Sequence, residues 1–209
     1  MALVKYNNNS ISAVTSAASM PSGAMTHIKT LTASSSATLS FVNGSSDVVL
    51  DSTYPIYVFK FINIHPATNN AEFQFQGDTG TNTNYNQTIT STVFGANHKE
   101  DGSEAGLSYF TAFDQAQGTA FQTIQSNVHE DDDNGASGTL TIYNPSSSVF
   151  VKNFISTTNS QQSDTSNLTH NHFVAGYFNL TTALTRFQFK FSSGNMDSGK
   201  IKLYGIKDS

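Results

Sequence analysis

Residues 185–206, TRFQFKFSSGNMDSGKIKLYGI, decide the fold of this chain. Apolar side chains occupy alternate positions on both sides of a polar Ser-Ser-Gly-Asn segment: Phe187, Phe189, Phe191, Ile201 and Leu203. A period of two is typical of a β-strand that buries one face, and a short Gly-Asn segment between two such runs indicates a turn. The stretch therefore predicts an antiparallel β-hairpin.

The same alternation recurs along the rest of the chain. Further strands are predicted at residues 27–32, 38–42, 48–50, 56–64, 72–76, 87–94, 107–113, 138–143, 149–157 and 173–180. Residues 114–127 place apolar side chains at helical spacing, but Gly118 interrupts them, so a short helix or an irregular strand is expected there. Many short strands separated by Gly, Asn and Ser turns indicate an all-β antiparallel sandwich of the jelly-roll type.

Residues 56–64 are apolar on both faces. Tyr57, Phe59 and Phe61 share one face, and the other face carries Ile56, Val58, Ile62 and Ile64. Apolar side chains on both faces are typical of a central strand that is covered on both sides, here by a second sheet or by a partner subunit. Lys60 interrupts the second face, so its cover is expected to be partial.

The 209 residues predict one β-sandwich domain, residues 26–209, after an extended N-terminal arm, residues 1–25. The arm has no sustained period and few apolar side chains, among them Leu3, Val4, Tyr6, Ile11 and Val14. Two interpretations remain open for it. It is a disordered tail, or it gains order by lying on a neighbouring subunit.

The composition of the chain argues against several classes of partner and site. A formal net charge of -5 with a single arginine argues against nucleic-acid binding, which needs clustered basic side chains. No apolar run approaches the roughly 20 residues of a membrane span, and no signal peptide is visible. The absence of cysteine rules out disulfides and thiolate metal sites, and it fits synthesis in a reducing cytosol.

Two clusters of potential ligands occur in the sequence, and neither supports a metal or a cofactor. Residues 129–135, His-Glu-Asp-Asp-Asp-Asn-Gly, contain the densest acidic run, but in the register of a helix-loop-helix calcium site the closing position falls on Thr141 instead of glutamate. A solvated loop is the better interpretation, with cation binding as the alternative. His170 and His172 lie on one strand face, but two imidazoles do not complete a zinc site.

No motif predicts catalysis. The chain has no Gly-x-Ser-x-Gly elbow, and no acid stands beside histidine at a predicted strand end. Tyr85, Tyr109 and Phe110 lie in or beside polar loops and offer rings on which a sugar could stack, although ordinary loop or core packing is the better interpretation of them.

The chain as a whole resembles a family of virion structural proteins of marine tailed phages. Six segments carry this resemblance: residues 11–25 (ISAVTSAASMPSGAM), 57–66 (YVFKFINIHP), 114–123 (DQAQGTAFQT), 143–147 (YNPSS), 151–156 (VKNFIS) and 192–207 (SSGNMDSGKIKLYGIK). The last segment is similar to an element of β-sandwich domains in phage capsid and tail proteins. The resemblance brings no catalytic residues with it.

The resemblance implies a non-enzymatic protein on the outside of the particle, made in the bacterial host cytoplasm. It would decorate or cement the capsid, or belong to the tail, as a symmetric oligomer and most simply a homotrimer that contacts other virion proteins. The second hypothesis is a receptor-binding tail module that recognises host surface glycans. The third is a polysaccharide-degrading enzyme.

Overall fold

A computed structural model describes residues 25–162 and 167–208 of the chain. Within those ranges the chain forms thirteen β-strands and no helix, and hence no helix able to cross a membrane. The predicted N-terminal arm, with Leu3, Val4, Tyr6, Ile11 and Val14, lies outside the described residues apart from Met25. The strands are β1 Met25–Thr32, β2 Leu39–Val42, β3 Ile56–Pro66, β4 Ala71–Thr79, β5 Ile89–Lys99, β6 Ala105–Tyr109, β7 Ala116–Gly118, β8 Gln122–Val128, β9 Ala136–Tyr143, β10 Lys152–Gln162, β11 Leu168–Phe178, β12 Leu184–Phe191 and β13 Met196–Ile206.

The strands form two antiparallel sheets that pack face to face, which confirms the predicted β-sandwich. The larger sheet has the order β1-β13-β3-β9-β10-β11-β5-β6, with β7 also paired to β5, and the smaller has the order β2-β12-β4-β8. The four strands β1-β13-β3-β9 face the four strands of the smaller sheet. In chain order, these eight strands alternate between the two groups, except that β4 and β8, which are consecutive in this series, lie in the same sheet. This topology is that of a jelly roll.

Two insertions widen the larger sheet beyond this jelly roll. The β10–β11 hairpin is inserted between β9 and β12, and the segment β5–β7 is inserted between β4 and β8. Together they add β10, β11, β5 and β6 side by side to one edge of the sheet, and we call these four strands the extension. Its inner face packs partly on β8, and its outer face looks away from the smaller sheet.

Phenylalanine rings from both sheets form the centre of the core. Phe59 of β3 lies 5.0 Å from Phe189 of β12 between ring centroids, and Phe61 of β3 lies 5.0 Å from Phe73 of β4. Both pairs meet edge to face, the geometry in which an aromatic pair contributes about 0.5–1.5 kcal/mol beyond its burial. The alternating phenylalanines thus point inward, as the sequence predicts.

The predicted hairpin at residues 185–206 is wrong. β12 pairs with β2 and β4 in the smaller sheet, whereas β13 pairs with β1 and β3 in the larger one. The connecting turn therefore crosses from one sheet to the other. Gly194 adopts a left-handed conformation in it, and a Cβ there would lie 2.2 Å from Thr68 Oγ1. Alternation identifies the buried face of a strand but not its hydrogen-bonding partner, because neighbours within a sheet and neighbours across a sandwich bury their faces in the same core.

β3 is central in the larger sheet, as predicted, between β13 and β9. Its two faces differ from the expectation because a bulge interrupts the pairing between Phe61 and Ile64, with Asn63 in a left-handed conformation. The extra residue turns Ile64 into the core and leaves Ile62 39% exposed. Only Val58 remains buried on the outer face, which agrees with the partial cover expected there.

Residues 114–127 and 48–50 differ in how well they match the predicted strands. Residues 114–127 contain β7 and β8, so the irregular-strand alternative is correct and the helix is not. Residues 48–50 form no strand, although Val48 and Leu50 are buried.

The aromatic core yields a first prediction. Phe189→Ala removes a fully buried ring that contacts both sheets, and it should lower the free energy of unfolding by about 3–5 kcal/mol. Urea unfolding followed by circular dichroism measures this loss. Ile62→Ala, at the exposed bulge position, is the control and should cost less than about 1 kcal/mol. Equal losses in the two variants would contradict the assignment of Phe189 to the core.

Candidate functional site

Large apolar side chains are exposed together on the outer face of the extension. They come from all four of its strands, and we call them the stripe: Phe94, Leu107, Tyr109, Ile155 and Phe173. Phe173 pairs directly with Phe94, and Phe94 pairs directly with Tyr109. Because directly opposed residues of antiparallel strands project from the same face, the stripe runs across neighbouring strands.

The alternation of each strand explains why these side chains face outward. Val93, Phe154 and Val174 take the inward positions and are buried in the core. Their neighbours along the chain must project from the opposite face. In an antiparallel sheet with one solvated face those outward positions are normally polar, so apolar side chains there are unusual.

A ring stack and a side-chain hydrogen bond define the geometry of the stripe. The rings of Phe94 and Phe173 stack with centroids 5.0 Å apart and an interplanar angle of 9°. Tyr109 is 54% exposed, and its hydroxyl donates a hydrogen bond of 2.6 Å to Asp114 Oδ2. Leu107, on the edge strand β6, is 73% exposed. The stripe therefore presents a fixed apolar surface to its surroundings.

An open groove of about 500 Å³ lies beside the stripe on the same outer face. Ile155 and Ala175 are apolar parts of its wall, and the aromatic ring of Phe154 lies beneath Gly176, where a Cβ would meet that ring at 2.7 Å. No charged side chain lines the groove among the described residues. The groove and the stripe, which share Ile155, thus form one continuous neutral surface.

The structure separates the two tyrosines that the sequence suggested as glycan contacts. Tyr85 is only 7% exposed, and its ring packs against Phe121 while its backbone N–H donates to Asp78 Oδ2 at 2.8 Å. The expectation that Tyr85 offers a surface ring is therefore wrong, because the loop folds back onto the Asp78 carboxylate. Tyr109 is exposed, and its contact with a glycan stays a prediction. Phe110 packs inward against His172, with centroids 5.1 Å apart.

The acidic loop at residues 129–135 connects β8 to β9. Glu130 and the three following aspartates are exposed, which agrees with the solvated-loop interpretation, while His129 is buried. A polar recess of about 440 Å³ adjoins the loop and is lined in part by His65, Asp132 and Asp133. Across the described residues, no three His, Cys, Asp or Glu side chains lie close enough together to hold a metal ion.

His170 and His172 meet inside the sandwich, on the inner face of β11. Their Nε2 atoms lie 3.2 Å apart, and Ser126 Oγ lies 3.2 Å from Nε2 of His172. Loss of hydration lowers the pKa of His172 from 6.5 to about 3, helped by the neighbouring His170, and it also lowers the pKa of His170. The pair is therefore a neutral polar element of the core.

Lys152 is a structural residue that sequence reasoning missed. Its side chain is buried at the start of β10, and Nζ donates hydrogen bonds to the carbonyl oxygens of Ser147, Phe150 and Thr181 at 2.6, 2.8 and 2.8 Å. Burial lowers its pKa. The signal was present in the alternation, because Lys152 occupies an inward position two residues before Phe154, where a cation must find internal partners.

Comparisons with protein-family models, with curated proteins and with solved structures found no match to this chain. The candidate site therefore has to be interpreted from its own geometry.

The histidine pair predicts a loss of stability in acid. Above about pH 6.5 both rings are neutral in the folded and unfolded chains, so they impose no penalty. Below that pH the unfolded chain gains protons that the folded His172 excludes until about pH 3, and each excluded proton costs up to about 1.4 kcal/mol per pH unit. Urea unfolding at pH 7, 6, 5 and 4 measures this slope.

The test variant is His172→Gln. The matched control is His27→Gln, which replaces an exposed histidine. The former should flatten the acid slope between pH 6.5 and 4, and the latter should leave it unchanged. A His172→Gln slope identical to that of the wild-type protein would show that the buried ring accepts its proton without a penalty.

Lys152 supports a separate stability prediction. Lys152→Met keeps the length and apolar stem of the side chain but removes the donor from the carbonyl oxygens of Ser147, Phe150 and Thr181. Hydrogen bonds to charged groups contribute about 1.5–3 kcal/mol each, and removal of the buried charge offsets part of their loss. The free energy of unfolding should therefore fall by about 2–4 kcal/mol. Lys200→Met, on an exposed position of β13, should change urea stability by less than about 0.5 kcal/mol. A Lys152→Met protein as stable as the wild type would refute the proposed role of the ammonium group.

Proposed function

We propose that this protein is a non-enzymatic structural subunit that associates with copies of itself on the exterior of a tailed-phage particle. The observation that carries the proposal is the stripe on the outer face of the extension. Five large apolar side chains from four adjacent strands remain exposed there. Exposed clusters of this kind are typical of surfaces that another protein covers.

The energetics favour association through the stripe. Apolar burial contributes about 25 cal/mol per Å², and an aromatic ring can bury about 150–250 Å². The stacked pair of Phe94 and Phe173 keeps its geometry through its own ring contact, so little side-chain freedom remains to be lost on binding. A preorganised apolar surface of this type suits a permanent assembly.

The assignment to a phage particle draws on the resemblance of six segments to virion structural proteins. The jelly roll is compatible with it, since this architecture is common in viral capsid domains. Only 12% of residues are charged, so folding and association depend little on ion pairs, which salt would screen in seawater. We place the protein on the head as a decoration or cement subunit, or in the tail, most simply as a trimer.

The stripe predicts the effect of removing its rings on self-association. Replacing Phe94 and Phe173 together by Ser should weaken association at least tenfold, because burying one such side chain contributes about 1.5–3 kcal/mol and about 1.4 kcal/mol is a factor of ten. Sedimentation equilibrium of the full chain measures the association constant. Both positions are partly exposed, so the variant should keep the circular dichroism spectrum of the wild type.

Ile62→Ser, an exposed apolar position on β3 outside the stripe, serves as the control and should associate like the wild type. A wild-type chain that stays monomeric at high concentration and never joins purified phage particles would overturn the proposed function. An enzymatic turnover of host polysaccharide by the purified chain would overturn it as well.

A further inference from the structure

The loop between β9 and β10 exposes two more apolar side chains. Val149 and Phe150 lie between β9 and β10 and are 69% and 67% exposed, respectively. They are adjacent in sequence and have no charged residue among their immediate chain neighbours. Nothing in the local backbone pattern requires apolar residues at this tip, so their presence needs an explanation.

The loop that displays them is held rigidly. Ser147 Oγ accepts hydrogen bonds from the backbone N–H groups of Val149 and Phe150 at 3.1 and 2.9 Å. The carbonyl oxygen of Phe150 accepts a 2.8 Å hydrogen bond from Nζ of the buried Lys152. The side chain of Phe150 is therefore displayed from a backbone that is fixed from both sides, and this lowers the entropic cost of inserting it into a partner.

The groove on the outer face matches the side chains of Val149 and Phe150 in size and in apolar character. Its volume of about 500 Å³ is more than ten times the roughly 30 Å³ of one water molecule, so it can admit a phenyl ring together with a smaller side chain. Its apolar wall at Ile155 and Ala175 matches Val149 and Phe150 in chemistry, and both surfaces are uncharged.

We propose that the Val149–Phe150 tip of one copy inserts into the groove of a second copy of this chain. This inference rests on the proposed function and specifies how the self-association is made. The area supports a second copy as the occupant. The stripe alone offers a few hundred Å² of apolar surface, less than the roughly 800 Å² per partner that a stable interface buries. The tip and the groove enlarge this surface on the same molecule.

The arrangement is compatible with two symmetries of contact, a two-fold dimer in which two copies exchange tips and a head-to-tail ring. The tip and the groove are different surfaces of one chain, so each copy can give its tip to one neighbour and accept the tip of another. Head-to-tail contacts of this kind close into rings when the rotation between copies permits it, and a three-membered ring is the simplest such assembly larger than a dimer.

The experiment uses the absence of native cysteine from the chain. Two single-cysteine proteins are made and are mixed under mild oxidation: Ser148→Cys, an exposed position beside the tip that keeps Val149 and Phe150, and Ala175→Cys in the groove. If the tip enters the groove, the mixture should form a disulfide-linked dimer at least tenfold faster than a mixture of Ala175→Cys with Ile62→Cys, which places the thiol on β3 outside the tip. Non-reducing electrophoresis measures the rate, and circular dichroism verifies that every variant is folded.

Two further variants separate packing from folding. Phe150→Ala should weaken association about tenfold in sedimentation equilibrium, whereas Phe150→Leu, which keeps an apolar side chain, should retain most of it. Because residue 150 is exposed, neither change should alter the unfolding midpoint of the monomer at low concentration.

The possible failures are distinguishable. If the wild-type chain associates but the Ser148→Cys and Ala175→Cys mixture cross-links no faster than the control, the insertion is wrong and the proposed function stands. If the wild-type chain does not associate under any condition, the proposed function fails and the insertion fails with it. A groove that is filled by another segment of the same chain gives the first of these results.

Discussion

The whole structure depends on the edge-to-face packing of phenylalanine rings between the two sheets. Phe59 and Phe61 of β3 meet Phe187 and Phe189 of β12, and this cluster fixes both the spacing of the sheets and the position of β3 at the centre of the larger one. Ring contacts are directional, so a shift of one strand by one residue would turn its rings to solvent and leave the opposite rings without partners. The chain has few charged residues, and among the residues that the structure describes no comparable set of ion pairs competes with this cluster as the source of register.

The aromatic core also explains how the extension can carry a different kind of surface. Phe154 of β10 and Phe178 of β11 continue the ring cluster outward from Phe75 of β4, so the added strands are anchored by their inner face. Farther along these strands the inner face becomes polar, with the pair of His170 and His172. The inner face of the extension packs on β8 and on the aromatic core, so the outer face makes no comparable contact within the described part of the monomer. The apolar side chains found there are therefore best explained by contacts outside the monomer.

Much of the fold was predictable from the sequence because it follows from the local alternation of apolar and polar residues. The buried phenylalanines, the central position of β3 and the sandwich class all follow from a period of two. Partners within a sheet did not follow, because β12 and β13 bury their faces in the same core from opposite sides. The site was harder to predict. Alternation assigns apolar residues to the interior, so Phe94 and Phe173 were expected in strands but not as exposed neighbours, and the burial of Tyr85 depends on a contact with Asp78 that only the folded loop creates.

The stacked pair on the outer face bears on the two kinds of partner that we consider, a protein and a glycan. A sugar ring packs on the flat face of an aromatic side chain. Phe94 and Phe173 turn one face toward each other at 5.0 Å, so that face of each ring is closed to a sugar. Aromatic rings also pack well against other aromatic rings and against aliphatic side chains. Side chains of these kinds occur on the same surface of this protein, in Tyr109, Leu107 and Ile155, so the geometry favours another protein, and most directly another copy of the chain, over a glycan.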